Sequence, residues 1–186
     1  MKITKSEKFE DVLIFEPTIY EDNRGFFFES FNNQITDSLN VNFVQDNHSK
    51  SKKNVVRGIH YQWEPKMGKL CRVVSGYGRD FFVDLRKNSP TYGQYDSVFL
   101  NEENNKIIWV PSGFGHAFLS LEDNTHLVYK CSGYHSNNES SIFPLDNDLS
   151  IDWGVDVNEL VLSEKDLNSQ SFSDYDKNPI FYYEKN

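Results

Sequence analysis

With 186 residues, 38% of them hydrophobic and 25% charged, the chain can bury one good core but falls short of two ordinary domains, so residues 1–186 read as a single domain. A formal net charge of −9 excludes broad binding to nucleic acid or to an anionic membrane, since both need an extended basic surface. No apolar run approaches the roughly 20 residues of a membrane helix, and the N-terminal stretch has no signal-peptide core, so a cytoplasmic setting is expected.

In chain order, the first patterned segment is "GFFFESF" (25–31), in which Phe27, Glu29 and Phe31 alternate with Phe26, Phe28 and Ser30. Both faces are largely apolar, as in a strand covered on two sides. Residues 30–40 have the pattern of a short helix, and "SKSKK" (49–53) reads as a polar loop. "VVRGIHYQ" (55–62) is strand-like with a histidine at its centre, and "DFFVDLR" (80–86) again sets apolar residues on both faces. Turn signals separate these runs: "SGYG" (75–78), "NSPTYG" (88–93), "NEENN" (101–105) and "PSGFG" (111–115). Many short strands at this spacing predict an all-β sandwich or barrel. Cys71 and Cys131, each in a strand-like stretch, fit buried free thiols better than a disulfide. "LSEKDLNS" (162–169) opens with Ser163 three residues before Asp166, an N-capping arrangement for a short helix. The aromatic tail "IFYYE" (180–184) is expected to dock, or to pair at a subunit edge.

Three histidine or tyrosine positions could carry chemistry. His60 has the side chain whose ordinary pKa lies nearest neutrality, although a strand histidine is more often structural. His116 lies in "WVPSGFGHAF" (109–118), whose Pro-x-Gly-x-x-His spacing is like the second motif of metal-binding cupins. The matching first motif would need a second imidazole where this chain has Gln62, so the cavity is read as metal-free. Tyr129 shares a strand face with Leu127 and Cys131; it is either a packed ring with one hydrogen bond or a proton donor.

Taken together, "DNRGFFFESF" (22–31), "FVQDNHS" (43–49), "VVRGIHYQ", "KLCRVVSG" (69–76), "VDLRKNSPTYG" (83–93), "WVPSGFGHAF" and "LVYK" (127–130) resemble, in order and approximate spacing, the dTDP-4-dehydrorhamnose 3,5-epimerases. That resemblance implies a cupin-type β-jelly roll of two antiparallel sheets with a few short peripheral helices, assembled as a homodimer and needing no cofactor. It implies an isomerase of dTDP-rhamnose biosynthesis that inverts carbons 3 and 5 of a nucleoside-diphosphate 4-keto-6-deoxy sugar. By resemblance His60 is the base, Tyr129 the opposing acid, Asp166 the carboxylate that orients His60, and Lys69 the stabiliser of the enolate. Arg24, Glu29, Gln45, Asn47, Arg57, His116, Glu139 and Lys165 match positions that hold the nucleotide sugar, and Tyr134 resembles the ring that stacks on the thymine.

The residue types suit the reaction. A ketone at carbon 4 acidifies the hydrogens on carbons 3 and 5, so the enzyme needs a base, a cation for the enolate, and an acid on the other face. Each positioned acid or base typically supplies ~10²–10⁴-fold. Arg57 and His60, three apart, fall on opposite faces of a regular strand, and Gly58 permits the bulge that would bring them together. Asp166 competes with its own role at the helix start, and Asp84 is the other candidate to orient His60. Phe82 stands where the family often has a small residue; if it faces the cavity, it narrows it. The competing readings are a single-carbon epimerase, a non-catalytic sugar-nucleotide-binding jelly roll, and a metal-dependent cupin.

Overall fold

The computed structural model describes residues 1–184. Its strands in chain order are β1 (Lys2–Lys5), β2 (Leu13–Glu16), β3 (Tyr20–Asp22), β4 (Gly25–Phe27), β5 (Gln45–Ser51), β6 (Val56–Glu64), β7 (Lys69–Ser75) and β8 (Tyr77–Asp84). They continue as β9 (Arg86–Lys87), β10 (Tyr95–Asn101), β11 (Ile107–Val110), β12 (Phe114–Ser120), β13 (Thr125–Cys131), β14 (Asn138–Ser141) and β15 (Phe181–Tyr182). The short helices α1 (Asn33–Leu39), α2 (Glu164–Leu167) and α3 (Phe172–Lys177) lie at the periphery. Two antiparallel sheets form the body, one in the order β1-β2-β11-β7-β13-β5 and the other β10-β8-β12-β6-β14, which is the predicted all-β arrangement. Each of the four predicted turns lies at a junction between consecutive strands, three of them with end residues that belong to the strands.

Strand alternation sorts the apolar residues into three layers. Between the sheets, Phe82 and Phe118 of one sheet meet Cys71, Val73, Ile108 and Leu127 of the other, with Phe9 and Phe114 closing one end. Burying each of these phenylalanines contributes roughly 1.5–3 kcal/mol. On the far side of the five-stranded sheet, Phe81, Val83, Leu85, Ile59 and Ala117 are covered by Trp153, Tyr175 and Phe181. Outside the six-stranded sheet, Leu70, Ile107 and Trp109 pack under Ile35 of α1. The two-sided apolar pattern of residues 80–86 is therefore explained by a sheet on one face and the C-terminal segment on the other.

Two local expectations are corrected, and a third, left open between two outcomes, is decided. Only residues 25–27 of the "GFFFESF" run form a strand, in a β3–β4 hairpin that leaves Tyr20, Phe26 and Phe27 exposed, while Phe31 turns back onto Phe43. Residues 49–51, read as loop, extend β5, because seven consecutive residues pair with β13. The aromatic tail docks on its own chain: Phe181 and Tyr182 pair in parallel with Arg86 and Lys87. Both cysteines are buried and free.

Candidate active site

A cavity of about 420 Å³ opens between the sheets, with His60, Arg57 and His116 on the five-stranded side and Lys69, Leu127 and Tyr129 on the six-stranded side. The segment 161–166 lies along it and contributes Ser163, Lys165 and Asp166. Arg57 and His60 both reach the cavity because the β6–β12 ladder slips between His116↔His60 and Phe118↔Arg57, where two residues of β6, Gly58 and Ile59, oppose one of β12, Ala117. Gly58, between them, has φ +143°, and a Cβ there would lie 2.3 Å from that of Ala117. Glycine is thus required by conformation and by space.

His60 Nε2 lies 2.6 Å from Asp166 Oδ1, and the Asp166 side chain is only 4% exposed. The other carboxylate oxygen accepts from Ser163 Oγ at 2.8 Å, and the same hydroxyl accepts from the Asp166 backbone N–H at 3.1 Å. Burial works against charge on Asp166, but hydrogen bonds from His60 and Ser163 and the nearby Lys165 outweigh it and hold the carboxyl below its usual range. Capping and pairing with His60 are therefore one structure: the helix start fixes the backbone of the residue whose carboxylate meets the imidazole.

Across the cavity, burial, helped by the thiols of Cys131 and Cys71, pushes the Tyr129 phenol up, so it keeps its proton. The Lys69 ammonium lies 5.9 Å from the centre of that ring and has no ion-pair partner among the described residues. His116 Nε2 is 2.8 Å from Asp80 Oδ1, and burial depresses the imidazole's pKa more than Asp80 raises it.

A family model described as dTDP-4-dehydrorhamnose 3,5-epimerase matches residues 6–174. The chain belongs to the dTDP-4-dehydrorhamnose 3,5-epimerase family. It is 46% identical over 181 residues to the enzyme of that name from Shigella flexneri, covering 95% of this chain and 98% of the relative. A dTDP-6-deoxy-D-glucose-3,5-epimerase from Legionella pneumophila, solved in complex with dTDP-4-keto-L-rhamnose, superposes with a TM-score of 0.92 at 39% identity over 99% of both chains. A 3′-monoepimerase from Streptomyces bikiniensis in complex with dTDP-quinovose gives a TM-score of 0.87 at 35% identity, covering 94% of this chain and 90% of that one. The activity is that of the family, 3,5-epimerisation of dTDP-4-dehydrorhamnose, an isomerase reaction on the shared cupin-type jelly roll.

Around the cavity the remaining predicted positions divide. Arg57 donates Nε to Ser51 Oγ at 3.0 Å and Nη2 to the Lys50 carbonyl at 3.2 Å. Gln45 donates to Asn47 Oδ1 at 3.0 Å, and both share the β5 face of Ser49, which lines the cavity. Lys165 Nζ and Glu139 Oε1 pair at 2.5 Å, and Glu139 borders a small recess continuous in its lining with His60, Lys69 and His116. Tyr134 is 63% exposed. Arg24 and Glu29 do not reach the cavity within one chain: Arg24 pairs with Asp22 on the projecting hairpin, and Glu29 accepts from Asn32.

Two alternatives fall away and one residue is new. Asp84 is fully buried against Arg86, Ser89 and Thr91, so it is not what orients His60. Phe82 points between the sheets but packs in the aromatic cluster and is not part of the cavity wall. Gln62, at the position of the missing cupin ligand, is fully engaged with Pro65, Tyr134 and Ser136. Among the described residues one buried trio, Cys71, Asp80 and His116, could surround a cation, and there His116 Nε2 already faces Asp80. Asp80 went unnoticed in the sequence, where the only signal was a carboxylate in inward register with Phe82.

Proposed function

We propose that the cavity converts dTDP-4-dehydro-6-deoxy-D-glucose to dTDP-4-dehydro-L-rhamnose with His60 as base, Lys69 opposite the enolate oxygen and Tyr129 as the acid on the other face. The observation that carries this reading is the placement of a carboxylate-bound imidazole on one sheet and a protonated phenol on the other, across a cavity of about 420 Å³. Inversion requires a proton to leave one face of a carbon and return to the opposite face, and groups on facing sheets meet that need. His60 removes the proton from carbon 3 or 5; the electron pair moves into the carbonyl, and the oxygen gains charge. Lys69, free of an ion pair among the described residues, is aimed at that charge, and such preorganised stabilisation is often the largest single term in catalysis. Tyr129 returns a proton. No redox partner is needed because the substrate already carries the ketone.

Arg57 and Lys165 are the local cations for the diphosphate, with Gln45, Asn47, His116 and Glu139 holding the remaining polar groups and Tyr134 stacking on the base. A homodimer would cover the exposed aromatic hairpin and could bring Arg24 and Glu29 to a neighbouring cavity. The free thiols suit a cytoplasmic enzyme. The likeness to a 3′-monoepimerase favours single-carbon inversion as the second reading. Proton NMR in deuterated water with dTDP-4-keto-6-deoxyglucose decides between them: exchange at carbons 3 and 5 supports double inversion, exchange at one carbon supports the alternative, and no exchange overturns both.

A further inference from the structure

Asp80 is a fully buried carboxylate in the middle of the jelly roll, and its Oδ2 has no hydrogen-bond partner among the described residues. Its Oδ1 meets a single group, His116 Nε2, at 2.8 Å. Such a residue is expensive to keep in a core and is poor evidence of stabilisation, so its partner is the place to look for its use. A carboxylate only accepts hydrogen bonds. The proton on the His116 ring must therefore sit on Nε2 when that bond is made. Nδ1 has no protein partner among the described residues, yet it is not among the buried unpartnered atoms. Since His116 lines the cavity with a side chain only 9% exposed, Nδ1 is the ring atom left to meet a ligand.

We infer that Asp80 is a positioning residue that fixes the tautomer of His116, so that Nδ1 presents a bare lone pair to the cavity and accepts a hydrogen bond from a hydroxyl of the bound sugar. This rests on the reading of the cavity as the sugar site. Burial independently keeps the ring neutral by lowering its pKa, and a neutral ring with Nε2–H has one acceptor to offer, at Nδ1. His116 and His60 then differ in setting: His60, a third exposed, meets the carboxylate of a capped helix start, whereas His116 is locked from behind by a carboxylate with no other partner. A site that hydrogen-bonds a substrate hydroxyl rejects ligands that lack it far better than an apolar wall can, so the pair acts on which keto-sugar is accepted.

The test uses the full-length protein labelled with ¹⁵N-histidine, with the His116 signals assigned by their loss in His116→Asn. In the unmodified enzyme near neutral pH, Nε2 should carry the proton and Nδ1 should be bare. Asp80→Asn conserves shape but allows its amide to donate to Nε2, which should move the proton to Nδ1. In that variant kcat/KM for dTDP-4-keto-6-deoxyglucose should fall roughly 10- to 100-fold, the size expected when one buried hydrogen bond is lost. A proton on Nδ1 in the unmodified enzyme overturns the inference, and so does an Asp80→Asn variant with unchanged tautomer and kinetics. The unmodified protein alone supplies the first result if the variant does not fold. Persistence of exchange in His60→Asn would defeat the catalytic reading and leave the tautomer measurement standing, so the two failures are distinguishable.

Discussion

At the scale of single residues, variants at His60 and Tyr129 test the proposed division between groups that act on the proton and groups that hold the ligand. His60→Asn should abolish deuterium exchange while leaving dTDP affinity within a few-fold, since the side chain is needed in the transition state more than for binding; calorimetry with dTDP beside the exchange assay checks both halves. Tyr129→Phe keeps the ring and removes its only dissociable hydrogen. Exchange should continue while inverted product fails to accumulate when a reductase is present to trap it. If the phenol only packs, the variant should epimerise at near the normal rate and lose only about 0.5–1.5 kcal/mol of stability.

At the scale of elements, backbone geometry depends on particular residues at the β6 bulge and in the turn after β8. Gly58→Ala must place a Cβ within 2.3 Å of that of Ala117 at φ +143°. Strain of this kind costs about 1–3 kcal/mol before the clash is counted, and losing the bulge would turn Arg57 away from the cavity. A lower melting temperature together with a raised KM is the expected result. After β8, Asp84 is fully buried and accepts from Arg86, Ser89 and Thr91. Burial opposes its charge, but those hydrogen bonds, led by Arg86, win and hold its pKa below the ordinary 3.8. The sign follows: the folded value is depressed, so the stabilisation is complete above about 3.8 and is lost as pH falls through the lower folded value. Asp84→Asn should be less stable at pH 7 and show a flatter stability profile below pH 4, as read by urea titration; removing the carboxylate altogether in Asp84→Ala should cost about 3–5 kcal/mol.

At the scale of the molecule, the β3–β4 hairpin leaves Tyr20, Phe26 and Phe27 each more than half exposed, an apolar surface that a soluble monomer seldom keeps. Light scattering at micromolar concentration should give a dimer, and Phe26→Ser with Phe27→Ser should weaken it and raise KM together. A monomeric parent protein would refute the assembly. Activity should also survive exhaustive chelation; loss restored by one divalent metal would reject the metal-free mechanism.

The sequence alone determined the all-β class, the strand faces, the turns and the family, because period-2 alternation, turn residues and ordered motifs are local properties of the chain. Tertiary structure decided the rest, because it depends on which local patterns meet. Asp166 and His60 are 106 residues apart and share a hydrogen bond only because the start of α2 lies against β6. Asp84 and Asp80 are both inward-facing carboxylates of β8, yet one is consumed by its own turn and the other by a histidine on the neighbouring strand. The apolar runs 25–31 and 80–86 look alike in sequence, but Phe26 and Phe27 of the first project into solvent, whereas the second is covered on both sides. Alternation says which side chains share a face; only the packing of sheets and the C-terminal segment says what, if anything, covers it.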